Sequence, residues 1–128
     1  MDQPLKLLII DDDQHVLATL EDFLRGKAYD VISASNGLDG LKLLETENQR
    51  FDLVVTDLVM PQISGIGLIS IIKEKFPDTP VIAITGWGEY PEGFAIESQA
   101  DKVLSKPFEL SVLDKAIKEL ISLKVKNA

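Results

Sequence analysis

LKLLIIDDD, residues 5–13, carries a strand-length, apolar-rich run directly into three carboxylates. Only Lys6 interrupts Leu5 to Ile10, and a run that does not alternate with polar residues fits a strand covered on both faces, as in a parallel sheet. Runs of the same kind stand at Val31 to Ala34, Leu53 to Thr56, Val81 to Thr85 and Val103 to Ser105, so five strands are expected.

Helical spacing fills the intervals. Val16, Leu17, Leu20, Phe23 and Leu24 form one apolar stripe, Leu38, Leu41 and Leu44 a second, and Leu113, Ala116, Ile117, Leu120 and Ile121 another. A further helix is expected from Ser64-Gly65 to about Phe76, where Pro77 stops it. Ser111-Val-Leu-Asp114 has capping-box spacing at the start of the last helix. Between strands four and five, Gly86, Gly88, Pro91 and Gly93 predict a short, late-starting helix. Strand then helix, repeated along the chain, implies a doubly wound α/β sheet with right-handed crossovers. The ligand crevice of such a sheet lies beyond the carboxyl ends of its strands, at the topological switch point.

Composition narrows the chemistry. The chain has 128 residues, 13 Lys and Arg against 21 Asp and Glu, and a formal net charge of −8. That length suits one domain, which buries roughly two-thirds of its unfolded surface and needs no disulfide or structural metal to fold. With no Cys, a thiolate nucleophile, an iron–sulfur site, a Cys-based zinc site and a disulfide framework are excluded. The negative charge opposes binding to a phosphate backbone. Lys115, Lys118, Lys124 and Lys126 read as a solvated helix face, so direct nucleic-acid binding is not expected. Met1-Asp2-Gln3-Pro4 has no basic leader character, and the first apolar run is too short for a signal or membrane helix; a cytoplasmic location is expected.

Polar residues collect where strands end: Asp11, Asp12 and Asp13 after the first, Asp57 after the third, Thr85 at the fourth, Lys106 after the fifth. A parallel sheet brings these together at one edge. Carboxylates a few Å apart repel by about 1–4 kcal/mol, which invites raised pKa values or a hard divalent cation; oxygen ligands alone favour Mg2+ over zinc. Phosphoryl transfer needs a nucleophile, a cation and donors around the phosphoryl oxygens. Asp57 is the candidate nucleophile, Asp11 and Asp12 the candidate metal ligands, and Lys106 and Thr85 the candidate donors. Singly, each has a plainer role: a turn residue for Asp57, a β-branched strand end for Thr85, a snorkelling surface residue for Lys106. Asp13 is expected to cap the first helix, and His15 to be a surface or capping residue.

IIDDD at 9–13, DLVVTDLVMP at 52–61, VIAITG at 81–86 and SKPF at 105–108 resemble the receiver domains of two-component response regulators, of the chemotaxis-regulator kind, over nearly the whole chain. The resemblance implies a flavodoxin-like three-layer αβα fold with about five helices and strand order 2-1-3-4-5. Residues 1–128 are then one receiver domain, with no effector domain in this chain. It further implies that Asp57 accepts a phosphoryl group from a phosphohistidine on a sensor histidine kinase or phosphotransfer protein. Mg2+ is expected on Asp12, Asp57 and the backbone carbonyl of Val59, with Asp11 acting mainly through water. Thr85 and Lys106 then move onto the phosphoryl oxygens and remodel the face of the fourth helix, fifth strand and fifth helix, where a downstream effector binds. Such a domain is a switch that promotes only its own phosphorylation and dephosphorylation.

Departures from the family pattern are also visible. Many receivers carry an aromatic residue three positions before the lysine, with a rotamer that follows the threonine; here that residue is Val103. Val59, two after Asp57, has no polar side chain to meet attacking water, and the expected fourth helix is about one residue short.

Other readings rest on the same residues. A haloacid-dehalogenase-like phosphatase would use Asp11 as nucleophile and Asp13 as acid, but needs a later acidic pair at a strand end. Beyond Lys106 only Glu109, Asp114 and Glu119 occur, in a helical stretch. A flavin carrier would place phosphate against three aspartates. A constitutive, non-phosphorylated binding module would leave the set without a use.

Overall fold

A computed structural model of the chain describes residues 4–46, 50–58, 64–86 and 99–126. The strands are β1 (Lys6–Ile10), β2 (Asp30–Ala34), β3 (Leu53–Asp57), β4 (Val81–Thr85) and β5 (Lys102–Ser105). All their pairings are parallel, and the order is β2-β1-β3-β4-β5. The described helices are α1 (Gln14–Gly26), α2 (Gly37–Glu45), α3 (Gly65–Lys75) and α4 (Leu110–Lys126), the last being the helix expected after the fifth strand. The helix expected between β4 and β5, with Pro91 and Gly93, falls outside the described residues, as does Val59. Among the described residues, no helix is long and apolar enough to cross a membrane.

Strand alternation divides the core in two. Leu7, Ile9, Val55, Ile82 and Ile84 face α1 and α4, packing with Leu17, Leu20, Leu24, Leu113 and Ile117. Leu8, Ile10, Val54, Val81 and Ala83 face α2 and α3, packing with Leu44, Leu68, Ile69 and Ile72. Residues β3 and β4 contribute are buried without exception, because helices cover both faces; that is why their sequences do not alternate. Each fully buried Leu, Ile or Val contributes about 1.5–3 kcal/mol before entropic losses.

Local signals set the helix starts. The Asp13 carboxylate accepts from the backbone N–H of His15 at 2.9 Å and of Val16 at 3.3 Å, so it caps α1 as expected. Asn36 and Ser64 cap α2 and α3 in the same way.

Two expectations need correction. Leu38 is 49% exposed and leaves the α2 stripe, whose buried residues are Gly37, Gly40 and Leu44. A Cβ at Gly40 would lie 2.5 Å from Ile10 Cδ1. Close approach of the helix to β1 therefore selects the glycine face, which a hydrophobic stripe cannot show. The second concerns the last helix, which starts at Leu110 and so includes Ser111. Asp114 does not act in a capping box. Its buried carboxylate accepts from the Tyr29 hydroxyl at 2.6 Å and the Lys118 ammonium at 3.1 Å, fastening α4 to the segment between α1 and β2. Burial pushes the Tyr29 phenol up, reinforced by the hydrogen bond to Asp114. Burial works against ionised Asp114 too, but the hydrogen bonds from Tyr29 and Lys118 hold its carboxyl below the usual range.

Candidate functional site

The strand order reverses at β1: the chain leaves β1 for β2 on one side and returns to β3 on the other. The crevice at this switch point lies between the carboxyl ends of β1 and β3. Ile10 pairs with Thr56, so the next residues, Asp11 and Asp57, come side by side. Asp57 pairs with Ile84, which sets Thr85 one step beyond it. Thr85 pairs with Ser105, and Lys106 follows, its N–H donating to the Thr85 carbonyl at 2.7 Å. Register alone thus assembles Asp11, Asp57, Thr85 and Lys106 at one edge.

The side chains complete the cluster. One carboxylate oxygen from each of Asp11, Asp12 and Asp57 lies within 4.8 Å of the others. Lys106 Nζ is 3.3 Å from Asp57 Oδ2. Asp57 and Thr85 are buried to within a few per cent, whereas Asp12 is exposed. The Lys106–Pro107 peptide bond is cis.

Asp11 has the most demanding surroundings. It is 1% exposed; its Oδ1 accepts from the Asp13 N–H at 2.9 Å, while its Oδ2 is buried with no hydrogen-bond partner among the described residues. Burial first, then the neighbouring charges of Asp57 and Asp12, push its carboxyl up to about 6, against the opposing pull of the Asp13 N–H and the Lys106 charge. A buried carboxylate with one oxygen lacking a donor among the described residues, clustered with two more carboxylates, fits a hard cation: oxygen ligands, charge to neutralise, and an exposed side from Asp12 where water can complete a shell. The donor set therefore suits Mg2+.

Asp13 is drawn out of this cluster by its capping bonds, which leaves the phosphatase reading without its acid. His15 is exposed at the first turn of α1, beside a small hollow lined by Val16, Leu20, Lys106 and Phe108. The Val59 carbonyl, expected as a metal ligand, lies outside the described residues.

Two residues at the site carry no sequence signal of their own. Ser105 Oγ accepts from the Thr85 hydroxyl at 3.3 Å. Gly65 donates its N–H to the Leu58 carbonyl at 3.0 Å, and a Cβ there would lie 2.5 Å from the Asp57 carbonyl oxygen and 2.4 Å from Leu58 Cα. The glycine at the start of α3 had a local reading only, as a helix start; its contact with the end of β3 is non-local.

Comparison with known proteins matches residues 7–118 to the sequence family described as the response regulator receiver domain. The transcriptional regulatory protein GlrR of Escherichia coli K12 is 34% identical over 120 residues, covering 93% of this chain and 27% of GlrR. PhoP of Bacillus subtilis, an alkaline phosphatase synthesis transcriptional regulatory protein, is 30% identical over 117 residues, covering 91% of this chain and 48% of PhoP. The chain thus spans between about a quarter and a half of these relatives. Among solved structures, a response regulator receiver domain protein from Clostridium thermocellum superimposes with a TM-score of 0.89 at 30% identity, covering 97% of this chain and 99% of that one.

Proposed function

Because the chain belongs to the response regulator receiver domain family, we propose that Asp57 is its phosphoacceptor, with Asp11, Asp12 and Asp57 as the Mg2+ ligands and Thr85 and Lys106 as the phosphoryl-oxygen donors. Receiver domains are the switch modules of two-component signal transduction, and the phosphoacceptor role follows from the family. The observation that carries the residue assignment is Lys106 Nζ at 3.3 Å from Asp57 Oδ2, beside the Asp11 and Asp12 carboxylates.

In this reading an Asp57 carboxylate oxygen attacks the phosphorus of a phosphohistidine. The new O–P bond forms as the N–P bond breaks, and the bonding pair goes to the imidazole, which leaves neutral because its other ring nitrogen already carries a proton. Lys106 neutralises an oxygen of the incoming group, and the Thr85 hydroxyl donates to another. Mg2+, when bound, supplies charge neutralisation that lets two anions meet. The same site would promote loss of the phosphoryl group to water, making the domain a switch for its own modification only. The proposed donor is a sensor histidine kinase or histidine phosphotransfer protein, and the proposed readout an effector bound through β5, α4 and the segment between β4 and β5. The proposed receiver unit spans residues 1–128.

Intact-mass spectrometry after incubation with acetyl phosphate tests this. A gain of one phosphoryl group is expected in the wild type with Mg2+, and none without Mg2+ or in Asp57→Asn. Equal labelling of Asp57→Asn would overturn the assignment. Lys106→Ala is expected to keep Mg2+ binding, since it removes a cation from beside the metal ligands, while phosphorylation slows at least tenfold; retention of wild-type labelling rates would remove Lys106 from the donor set.

A further inference from the structure

The Thr85 hydroxyl already has a partner, and it is not Asp57. Its O–H donates to Ser105 Oγ at 3.3 Å across the last β4–β5 register pair. Thr85 is 7% exposed, so few water molecules compete for it. Val103, on the same face of β5, offers no polar group and packs into the apolar cluster beneath α2 and α3. A threonine hydroxyl has one proton to donate. It can serve Ser105 or a phosphoryl oxygen, but not both.

We propose that Ser105 is a positioning residue that holds the Thr85 hydroxyl in the resting state and competes with the phosphoryl group for it. This rests on the reading of Asp57 as phosphoacceptor and Thr85 as donor. When Thr85 turns to the phosphoryl oxygen, its bond to Ser105 Oγ breaks and the exposed Ser105 hydroxyl is released to solvent. Ser105 immediately precedes Lys106, whose N–H is bonded to the Thr85 carbonyl. A change at one hydroxyl is thereby felt at the end of β5, without an aromatic side chain at position 103. The sequence SKPF at 105–108 would then carry two functional residues, the serine setting the resting state and the lysine the charged one.

Removing a competitor for the donor should favour the state that uses it. Beryllium trifluoride, a mimic of the phosphoryl group, can be titrated with saturating Mg2+ into the wild type, Ser105→Ala, Ser105→Thr, Thr85→Ala and the Ser105→Ala/Thr85→Ala pair, with binding followed by fluorine NMR. Ser105→Ala should bind about 2- to 5-fold more tightly than the wild type, the scale of one net hydrogen bond with a partly exposed partner. Ser105→Thr, which keeps a hydroxyl, should return to the wild-type value. In the Thr85→Ala background Ser105→Ala should have no effect, which a merely structural role for Ser105 would not produce. Unchanged or weaker binding by Ser105→Ala, or the same effect with and without Thr85, would overturn the proposal. Wild-type binding no better than that of Asp57→Asn would instead overturn the phosphoacceptor reading, and this inference with it.

Discussion

In the absence of divalent cation at pH 7, Asp11→Asn is expected to be more stable than the wild type by on the order of 2–3 kcal/mol. The Asp11 carboxyl is raised from 3.8 to about 6, first by burial and then by Asp57 and Asp12, and each pKa unit corresponds to about 1.4 kcal/mol. The sign follows from proton binding. Between the two values the folded protein holds the Asp11 proton and the unfolded chain does not, so folding takes up a proton. The contribution of Asp11 is thus fully present below pH 3.8, is lost as pH rises through about 6, and is absent above it. Asparagine keeps the acceptor for the Asp13 N–H and replaces the buried oxygen that has no partner among the described residues with a neutral amide.

Urea denaturation in EDTA at pH 4.5 and 7.5 reads the difference directly. The wild type should lose stability relative to Asp11→Asn as pH rises. Mg2+ should close the gap at a hundredfold excess over its Kd, where a ligand stabilises by about 2.7 kcal/mol, and invert the ranking at a thousandfold excess, where it stabilises by about 4.1 kcal/mol, because the substituted site should gain far less. A variant less stable than the wild type in EDTA at pH 7.5 would show that Asp11 is satisfied without a cation.

Gly65→Ala should have the other large effect, a loss of about 1–3 kcal/mol together with poor phosphoacceptance. Its Cβ would meet Leu58 Cα at 2.4 Å and the Asp57 carbonyl oxygen at 2.5 Å. Both are backbone atoms, so relief requires α3 to move off β3 or the end of β3 to move, and overpacking of this kind costs about 1–3 kcal/mol or more. The better helix propensity of alanine returns less than about 1 kcal/mol. Gly26→Ala is the internal control. Nothing lies within 4 Å of its Cβ, so it should be neutral or slightly stabilising. Thermal melts of the two variants, with acetyl phosphate labelling of each, separate a steric effect at the site from the general effect of replacing glycine in a helix. Equal behaviour of the two would mean that α3 accommodates a methyl group against Asp57 without displacing it.

The success and the failures of reading the chain residue by residue have a common cause. β3 and β4 were legible because unbroken apolar runs need cover on both faces, and that requirement is written in the run itself. Asp13 was legible as a cap because its partners, His15 and Val16, are two and three residues away. Leu38 was misplaced because the side of α2 that turns inward depends on Ile10, far off in sequence. Asp114 has helix-cap spacing, yet its partner Tyr29 is 85 positions away.

The strand order along the chain, the described helices and the strand-end placement of Asp11, Asp12, Asp57, Thr85 and Lys106 were legible in the sequence because they rest on periodicity and short spacings, and the family motifs because each is a short unbroken stretch. What depends on the packed fold is which of the adjacent aspartates is buried with an oxygen unbonded among the described residues, that Gly65 presses on the Asp57 backbone, and that Ser105 Oγ accepts from the Thr85 hydroxyl. Burial, steric contact and desolvation are sums over neighbours contributed by several strands, and no single stretch of chain contains them.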